Sequence, residues 1–320
     1  MSTPLASAVR GSWQQFLETF EGLRPELYRY CRHLTSSPWD AEDLAQDVLA
    51  RAFVTLGKLG AAPPNPRAWL FRVASNAWID QQRRPRGATE APAATAAIDP
   101  RETREAAGTL ISRLAPQERA AVVLKDVFDF AIDDIAEALA TTPNAVKAAL
   151  HRGRGKLVDE PVIEERVPTS AALTALCAAF ERRDLAALTE LLLDTATVEV
   201  VGVTTEYGKQ GNILRGMMFG SERLAEAATR GGIEARFVQG ALPQPPRREL
   251  RIHRGEPVVL AWYAHADGDA VRAIDRVELD GDHIARLRNY FFTPDLLVEV
   301  CAELDVPCKI NGYKFWMECQ

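Results

Sequence analysis

The sequence predicts a multidomain protein in which two all-α domains precede an α+β domain with a curved antiparallel sheet. In the first half, apolar residues recur at spacings of three and four, which is typical of amphipathic helices. In the second half, two helices precede alternating β-branched runs, and Asp267-Gly268 and Asp280-Gly281 separate runs as hairpin turns do. The predicted boundaries are a helical domain at 10–85, a flexible linker at 86–105, a helix-turn-helix domain at 106–157, a linker at 158–168 and the α+β domain at 169–320.

Composition restricts the protein to globular classes. The chain has 320 residues, of which 47% are apolar and 26% charged, enough to build more than one core. No apolar run approaches the ~20 residues that span a bilayer. The N-terminus lacks signal-peptide features, so we expect a cytoplasmic protein without membrane contacts. Five irregularly spaced cysteines suit neither a disulfide framework nor a metal site, and we expect no metal and no cofactor.

Charge is unevenly distributed along the chain. The net charge is −6, and residues 161–320 carry this whole excess, with 18 basic against 24 acidic residues. The first 160 residues are neutral overall, but their basic residues are clustered, which indicates local surfaces for nucleic acid.

The first helical domain carries two adjacent helices of opposite character. Ser37-Pro38 and Asn65-Pro66 are N-cap and first-turn signals for these helices. On the first helix, Asp40, Asp43 and Asp47 form an acidic stripe, although a solvated helix face would look the same. The second helix mixes arginine with tryptophan and phenylalanine and ends in an Arg-Arg-Pro-Arg run, which suits phosphate contacts and base stacking.

The second helical domain has the helix-turn-helix pattern. A short helix, a tight turn and a helix capped by Thr142-Pro143 follow one another. Val146, Leu150 and Gly153 make the inward stripe of the last helix. Its outward polar residues fit a helix inserted in the major groove of DNA, although many helical hairpins share this pattern. They are Asn144, Lys147, His151, Arg152 and Arg154.

These segments resemble the extracytoplasmic-function (ECF) sigma factors of bacterial RNA polymerase. The matching strings are DAEDLAQDVLARAF, PRAWLFRVASNAWIDQQRR and LAPQERAAVVLKDVFDFAIDDIAEALATTPNAVKAALHRGRGKL, in the order typical of the family. Ala140 stands where the family usually has glycine in the turn. The resemblance implies a promoter-specificity subunit whose partners are core RNA polymerase and promoter DNA.

The resemblance also implies roles for individual residues. The polymerase-docking segment corresponds to Asp40, Glu42, Asp43, Gln46 and Asp47. The segment that opens and reads the promoter −10 element corresponds to Arg72, Asn76, Asp80, Arg83 and Arg84. The helix that reads the −35 element corresponds to Asn144, Lys147, His151, Arg152 and Arg154.

The third domain looks like a SnoaL-like domain, a cone-shaped α+β fold shared by isomerases, cyclases and non-catalytic modules. It is similar to the tail of a group of sigma factors, and RNYFFTPDLL supports this resemblance. The resemblance implies a domain that regulates the sigma half in cis. The alternative is an isomerase or cyclase enzyme fused to a DNA-binding module. A third hypothesis is a repressor or activator that binds DNA without binding polymerase. The acidic stripe argues against it, because such a protein would not need a face that docks on polymerase.

Asp275 is the candidate that would make the third domain an enzyme. Strand alternation places it among apolar neighbours, where the pKa of a carboxyl rises and the group can act as a general base. The alternative is a structural Asp paired with a nearby Tyr, Arg or His. A pocket for a small-molecule ligand is predicted from five residues: Trp262, Tyr263, Asp275, His283 and Asn289.

Overall fold

The structure is a computed structural model that describes residues 15–16, 18–35, 37–59, 63–83, 114–155, 170–218 and 246–310. The chain separates into two compact units, one before and one after about residue 163. The first unit is helical, and the second contains helices and a six-stranded sheet.

Among the described residues, the first helical block contains three long helices, and the second and third begin where the sequence signals predict. They are α1 (Arg24–Thr35), α2 (Pro38–Leu59) and α3 (Pro66–Arg83). The backbone N–H of Asp40 donates to Ser37 Oγ at 3.4 Å, and that of Ala68 donates to Asn65 Oδ1 at 3.1 Å. Both predicted N-caps are therefore confirmed. The core of this block includes the fully buried Leu27, Tyr30, Leu34, Leu44, Val48, Leu70, Phe71 and Trp78.

The second helical block contains the helix-turn-helix. It consists of α4 (Pro116–Val122), a π-helical turn (Val123–Val127), α5 (Ile132–Ala138) and α6 (Pro143–Gly155). Thr142 caps α6 by accepting from the Ala145 N–H at 3.2 Å, as predicted. Ala140 takes the left-handed conformation with φ of 48°, which favours glycine, so this turn is strained. Gly153 lets α6 approach α4 closely, because a Cβ there would lie 2.8 Å from Val122.

The two helical blocks pack against each other through aromatic rings, and we call this contact the aromatic seam. Phe128, which follows the π-helical turn, meets the rings of Phe71 and Tyr30 edge-on at centroid distances of 5.1 and 5.6 Å. Phe130 lies 5.3 Å from Phe71, and the Arg67 guanidinium covers Phe130 at 4.4 Å. The first unit is therefore one packed body, although the predicted linker at 86–105 lies outside the described residues.

The second unit starts with two helices and continues into the sheet, as the α+β class predicts. Its strands lie in the order β2-β1-β6-β5-β4-β3. The elements are α7 (Ala171–Glu181), α8 (Leu185–Glu190), β1 (Leu192–Val200), β2 (Thr204–Tyr207), β3 (Arg247–His253), β4 (Glu256–Tyr263), β5 (Ala270–Asp280), β6 (His283–Tyr290) and α9 (Pro294–Glu303).

The α+β fold class is confirmed, with one correction to the sheet. Four strand pairs are antiparallel, whereas β1 and β6 are parallel, so the sheet is mixed. This pair is far apart in sequence, and no local signal reports its direction. Strand β2 was also missed, and the helix expected at 221–229 lies outside the described residues.

Helices α7 and α8 cover one face of the sheet and form its main core. Phe180 and Leu188 pack with Val259 and Leu287, and all four side chains are buried. Arg248 and Asp275 point to this same face. Asp275 lies directly opposite the core residue Val259, and Arg248 lies two residues before Leu250, which packs against the core. The sheet therefore buries two charged groups beside its apolar core.

Candidate nucleic-acid interface

The predicted acidic stripe lies along α2, and its members differ in exposure. Asp40 is exposed, whereas Asp43 and Gln46 are half-buried. Asp47 keeps 38% of its side chain exposed and pairs with Arg51 at 2.8 Å, one helical turn away. Such a surface pair is weak in water, so Asp47 remains available to a basic partner.

Glu42 belongs to the same segment but lies inside the block. Its side chain is 1% exposed and accepts from Arg24 at 2.9 Å and from Gln46 Nε2 at 2.6 Å. A buried carboxylate needs such partners, because an unpaired charge away from water is costly. Glu42 thus orients the Gln46 amide and anchors α1 to α2.

The predicted −10 residues on α3 share one face of that helix. Asn76, Asp80 and Arg83 are exposed, and their spacing of three and four places them above one another. Arg72 continues the same face and is half-buried. Arg84 lies outside the described residues.

Arg72 is held by the other helical block. Its guanidinium pairs with Glu137 at the end of α5 at 2.9 Å, and the two side chains are 37% and 69% exposed. The pairing lies beside the aromatic seam, where α5 packs against α3. In this conformation a residue predicted to contact promoter DNA is engaged by the helix-turn-helix block.

The predicted −35 residues occupy the outer surface of α6. Asn144, Lys147 and His151 are exposed along one stripe that runs from the first turn of the helix past its middle. Arg152 pairs with Glu118 at 3.0 Å, and Arg154 forms a two-contact ion pair with Asp126. Hydrogen bonding to Asp126 raises the pKa of Arg154 above its usual value.

These contacts divide the α6 residues into two groups. The two arginines bind acidic residues of α4 and the π-helical turn, so they fix the orientation of α6. The exposed stripe contains an amide, an ammonium and an imidazole, which are groups that bind base edges or phosphates.

In the second unit, three of the five predicted pocket residues come together. Asp275 is fully buried, and Asn289, directly opposite on β6, donates to Asp275 Oδ1 at 2.6 Å. Tyr263 is buried nearby on the same face. Burial raises the pKa of Asp275, although Arg248 and Asn289 act in the opposite direction.

The other two predicted pocket residues lie elsewhere. His283 is exposed at the start of β6, next to the hairpin turn. Trp262 packs under the Arg247 guanidinium at 5.1 Å, and strand alternation puts both on the face opposite to Arg248. Neither side chain shares the surroundings of Asp275.

Sequence reasoning missed Arg248, the main partner of Asp275. Its Nη1 donates to Asp275 Oδ2 at 2.6 Å, both side chains are at most 1% exposed, and its guanidinium covers the Phe180 ring at 4.4 Å. The alternation in RRELRIH puts Arg248 on the same face of the strand as Leu250. This pattern could have predicted that Arg248 faces the core.

Two further residues of the first unit were also missed. Glu137 offered no signal, because exposed acids on short helices are common. Arg119 is buried, donates to the Leu34 carbonyl and lies 5.1 Å from the Trp78 ring. Burial lowers its pKa to about 10. It joins the two helical blocks beside the aromatic seam.

Among the described residues, no helix is long and apolar enough to cross a bilayer. The described ranges also contain no group of three or more His, Cys, Asp or Glu side chains arranged to hold a metal ion.

The fold and these faces define a helical protein with a helix-turn-helix and charged recognition surfaces. Comparison with known proteins agrees with this class. The Sigma-70 region 2 family matches residues 19–87, and the Sigma-70 region 4 family matches residues 104–157. Mycobacterium tuberculosis SigM, an ECF RNA polymerase sigma factor, is 31% identical over 163 residues, which cover 48% of this chain and 80% of SigM. The chain belongs to the ECF sigma factors of bacterial RNA polymerase, which are not an enzyme family.

Two further comparisons extend past the helical half. The ECF sigma factor SigG of Mycobacterium tuberculosis is 28% identical over 243 residues, covering 63% of this chain. The chain spans 65% of the length of SigG. The crystal structure of Mycobacterium tuberculosis SigJ aligns over 87% of this chain and 97% of SigJ, with 21% identity and a TM-score of 0.34.

Proposed function

We propose that this chain is a sigma subunit that directs RNA polymerase to its promoters. The observation that carries this proposal is that one packed helical unit presents an acidic face on α2, a polar face on α3 and an exposed polar stripe with Lys147 on α6. Residues 10–85 would bind core polymerase and the −10 element. Residues 106–157 would bind the −35 element, and 86–105 and 158–168 would connect the domains.

The acidic face is assigned to core polymerase. Asp40, Asp43 and Asp47 would attract basic residues of the polymerase, and Gln46 would add a hydrogen bond. Glu42 is a positioning residue in this assignment, because it is buried and fixes Gln46.

Promoter DNA is assigned to α3 and α6. Arg72, Asn76, Asp80, Arg83 and Arg84 would act on the −10 element. On α6, Asn144, Lys147 and His151 would reach DNA first, since they form one exposed stripe that begins in the first turn of the helix. Arg152 and Arg154 hold the helix through Glu118 and Asp126, and they would reach phosphates only by exchanging these partners.

The packing of the two helical blocks supports a closed, inactive form. Arg72 is less available to DNA while it binds Glu137, and the aromatic seam keeps the blocks together. Polymerase would favour an open form because it binds the separated blocks better, which is the differential affinity that shifts such an equilibrium.

The SnoaL-like domain at 169–320 is assigned a regulatory role in cis. It carries a net charge of −5 out of the −6 of the chain, which suits masking of basic nucleic-acid faces. A connector of about a dozen residues would keep its effective concentration near the millimolar range. A small ligand bound to this domain would then be able to change promoter output.

We also infer that this domain is not catalytic. Asp275 is fully buried, and Arg248 and Asn289 each donate to one of its oxygens, so its surroundings are those of a paired structural carboxylate. The competing enzyme function predicts turnover of a small hydrophobic ketone that is lost in Asp275→Asn. Such turnover by the full chain would overturn the inference.

Run-off transcription with core polymerase and the full chain tests the sigma function. Lys147→Ala is expected to reduce promoter output by an amount equivalent to about 1–3 kcal/mol if Lys147 contacts a base. Lys209→Ala, a lysine of the second unit, is the matched control and should leave output unchanged. Absence of promoter-specific transcripts from the unmodified chain would refute the proposal.

Co-purification with core polymerase tests whether the acidic face of α2 binds the enzyme. Asp43→Lys combined with Asp47→Lys is expected to weaken co-purification with core polymerase, because attraction is replaced by repulsion. Glu278→Lys combined with Asp282→Lys, on exposed positions of the second unit, controls for net charge. Equal binding of both double variants would contradict the assignment.

A further inference from the structure

Two cysteines lie side by side where α9 ends. Cys301 is in the last turns of α9 and is fully buried, whereas Cys308 is half-buried in the segment that follows. The two side chains lie close enough to interact, and both are free thiols. We call this arrangement the thiol pair.

The backbone holds both members of the thiol pair in place. The chain reverses at Asp305, which has a φ of 55°, and the Val306 N–H donates to the Cys301 carbonyl at 3.0 Å. The segment after the turn then forms backbone hydrogen bonds with Val271 of β5. The Val271 N–H donates to the Pro307 carbonyl at 2.9 Å, and the Val271 carbonyl accepts from the Lys309 N–H at 2.9 Å. Cys308 is therefore fixed from both sides.

Ion pairs anchor the two segments that carry the cysteines. Glu303 at the end of α9 binds His253 at 2.6 Å and Arg254 at 2.5 Å, which ties α9 to β3 and the turn after it. Lys309 pairs with Asp267 in the loop between β4 and β5. The two sulfur atoms thus meet on anchored segments, so little chain entropy remains to be lost when they are joined.

We propose that Cys301 and Cys308 are a redox modification site, at which a hydroperoxide converts the two thiols into a reversible disulfide. This site is separate from the proposed polymerase and DNA faces. It would make the second unit responsive to oxidants.

The surroundings assign a different task to each thiol. Burial and, to a smaller extent, the neighbouring Cys308 together raise the pKa of Cys301 to about 12. Cys301 therefore stays protonated, and Cys308, which is the more accessible thiol, meets the oxidant. This is the division between a peroxide-reacting and a resolving cysteine.

The reaction balances with one hydroperoxide. The Cys308 thiolate attacks an oxygen of hydrogen peroxide, the O–O bond breaks, and hydroxide leaves and is protonated to water. The Cys301 sulfur then attacks the sulfur of the Cys308 sulfenic acid, the S–O bond breaks, and the leaving hydroxide takes the Cys301 proton. Two thiols and one peroxide become one disulfide and two water molecules.

The experiment treats the reduced full chain with hydrogen peroxide, quenches in acid and alkylates the remaining thiols after denaturation. Mass spectrometry of the digest is expected to show a peptide that links Cys301 to Cys308, lighter by two hydrogen atoms and restored by dithiothreitol. Cys31 in α1 and Cys177 in α7 serve as internal references and should still be alkylated.

Single variants test the order of the two steps. Cys301→Ala should leave a sulfenic acid on Cys308 that dimedone traps, whereas Cys308→Ala should leave Cys301 reduced. Cys319→Ala should form the disulfide as the unmodified chain does; Cys319 lies outside the described residues.

Three results would overturn the proposal. The first is a link from Cys308 to Cys319, and the second is a link between two chains. The third is full alkylation of both Cys301 and Cys308 at a peroxide concentration that oxidises free glutathione in the same tube.

Discussion

The two units of this chain differ in where the charged side chains that attract attention lie, although both bury some charge. In the first unit, Phe71 and Phe128 meet in an apolar seam, and the residues proposed to bind partners lie on the outside. In the second unit, the Arg248–Asp275 ion pair is inside the sheet domain, next to Phe180. The exposed charges of the first unit suit the binding of partners, whereas the Arg248–Asp275 pair belongs to the core of the second unit.

This contrast also predicts which changes each unit tolerates. Removing an exposed ionic partner costs little, because water replaces it. Removing one partner of a buried pair leaves a charge without compensation, which is far more costly. Substitutions of exposed charged residues in the first unit should therefore affect binding, and substitution of the buried Arg248–Asp275 pair should affect the stability of the second unit.

The largest effect is expected for Arg248→Met. This change leaves Asp275 buried with Asn289 as its remaining partner and should lower the free energy of unfolding of the second unit by about 3–5 kcal/mol. Urea unfolding of the full chain, with hydrogen exchange of the β4 and β5 amides as the probe of the second unit, measures this loss of stability.

Two variants control this prediction. Arg251→Met changes an exposed arginine of the same strand and should cost little. Arg248→Met combined with Asp275→Leu removes both charges and should recover most of the loss. If Arg248→Met alone is harmless, the buried pair does not hold this domain together.

Phe128→Ala tests the aromatic seam and should have the next largest effect. Phe128 is half-buried, and its removal is expected to cost about 2 kcal/mol. Small-angle scattering should show expansion, because the two helical blocks lose the ring that joins them. Phe53→Ala, a half-buried ring that packs on Phe16 within the first block, should destabilise without expansion. Equal expansion in both variants would contradict the seam.

The pH dependence of the second unit tests the ion pairs of α9. Burial alone would raise the pKa of Glu303, but hydrogen bonds from His253 and Arg254 outweigh it and lower this pKa to about 2. A folded-state pKa below the unfolded value gives stability that is present above about pH 4.3 and is lost as the pH falls towards 2.

Comparison with Glu303→Gln isolates this contribution. The unmodified chain should be more stable than Glu303→Gln at neutral pH, and the difference should shrink as acid protonates the carboxylate. Thermal unfolding at a series of pH values measures the difference; a gap that stays constant between pH 7 and pH 3 would exclude the ion pair as its cause.

The smallest effect is expected where an exposed pair joins the two helical blocks. Glu137→Gln releases Arg72, and a pair this exposed contributes about 0.2–1 kcal/mol, so promoter output at limiting polymerase should rise no more than about fivefold. Asp134→Asn, an exposed acid of the same helix, is the control. Lower output from Glu137→Gln would mean that the pair assists transcription.

Local features of the fold could be predicted from the sequence because they depend on neighbouring residues. Ser37, Asn65 and Thr142 cap their helices as predicted, since a cap needs an acceptor only three residues before its donor. The alternation along β5 also placed Asp275 correctly on the face of the sheet that carries the buried core.

Only the tertiary structure decided which of these residues meet. Arg248 and Asp275 lie on strands that one further strand separates, and Arg72 and Glu137 come from different helical blocks. The parallel pairing of β1 with β6 and the packing of Phe128 on Phe71 likewise join distant segments. Periodicity reports which side of an element is apolar, but it contains no information about the element on the other side of the contact, because that partner is set by the packing of the whole chain.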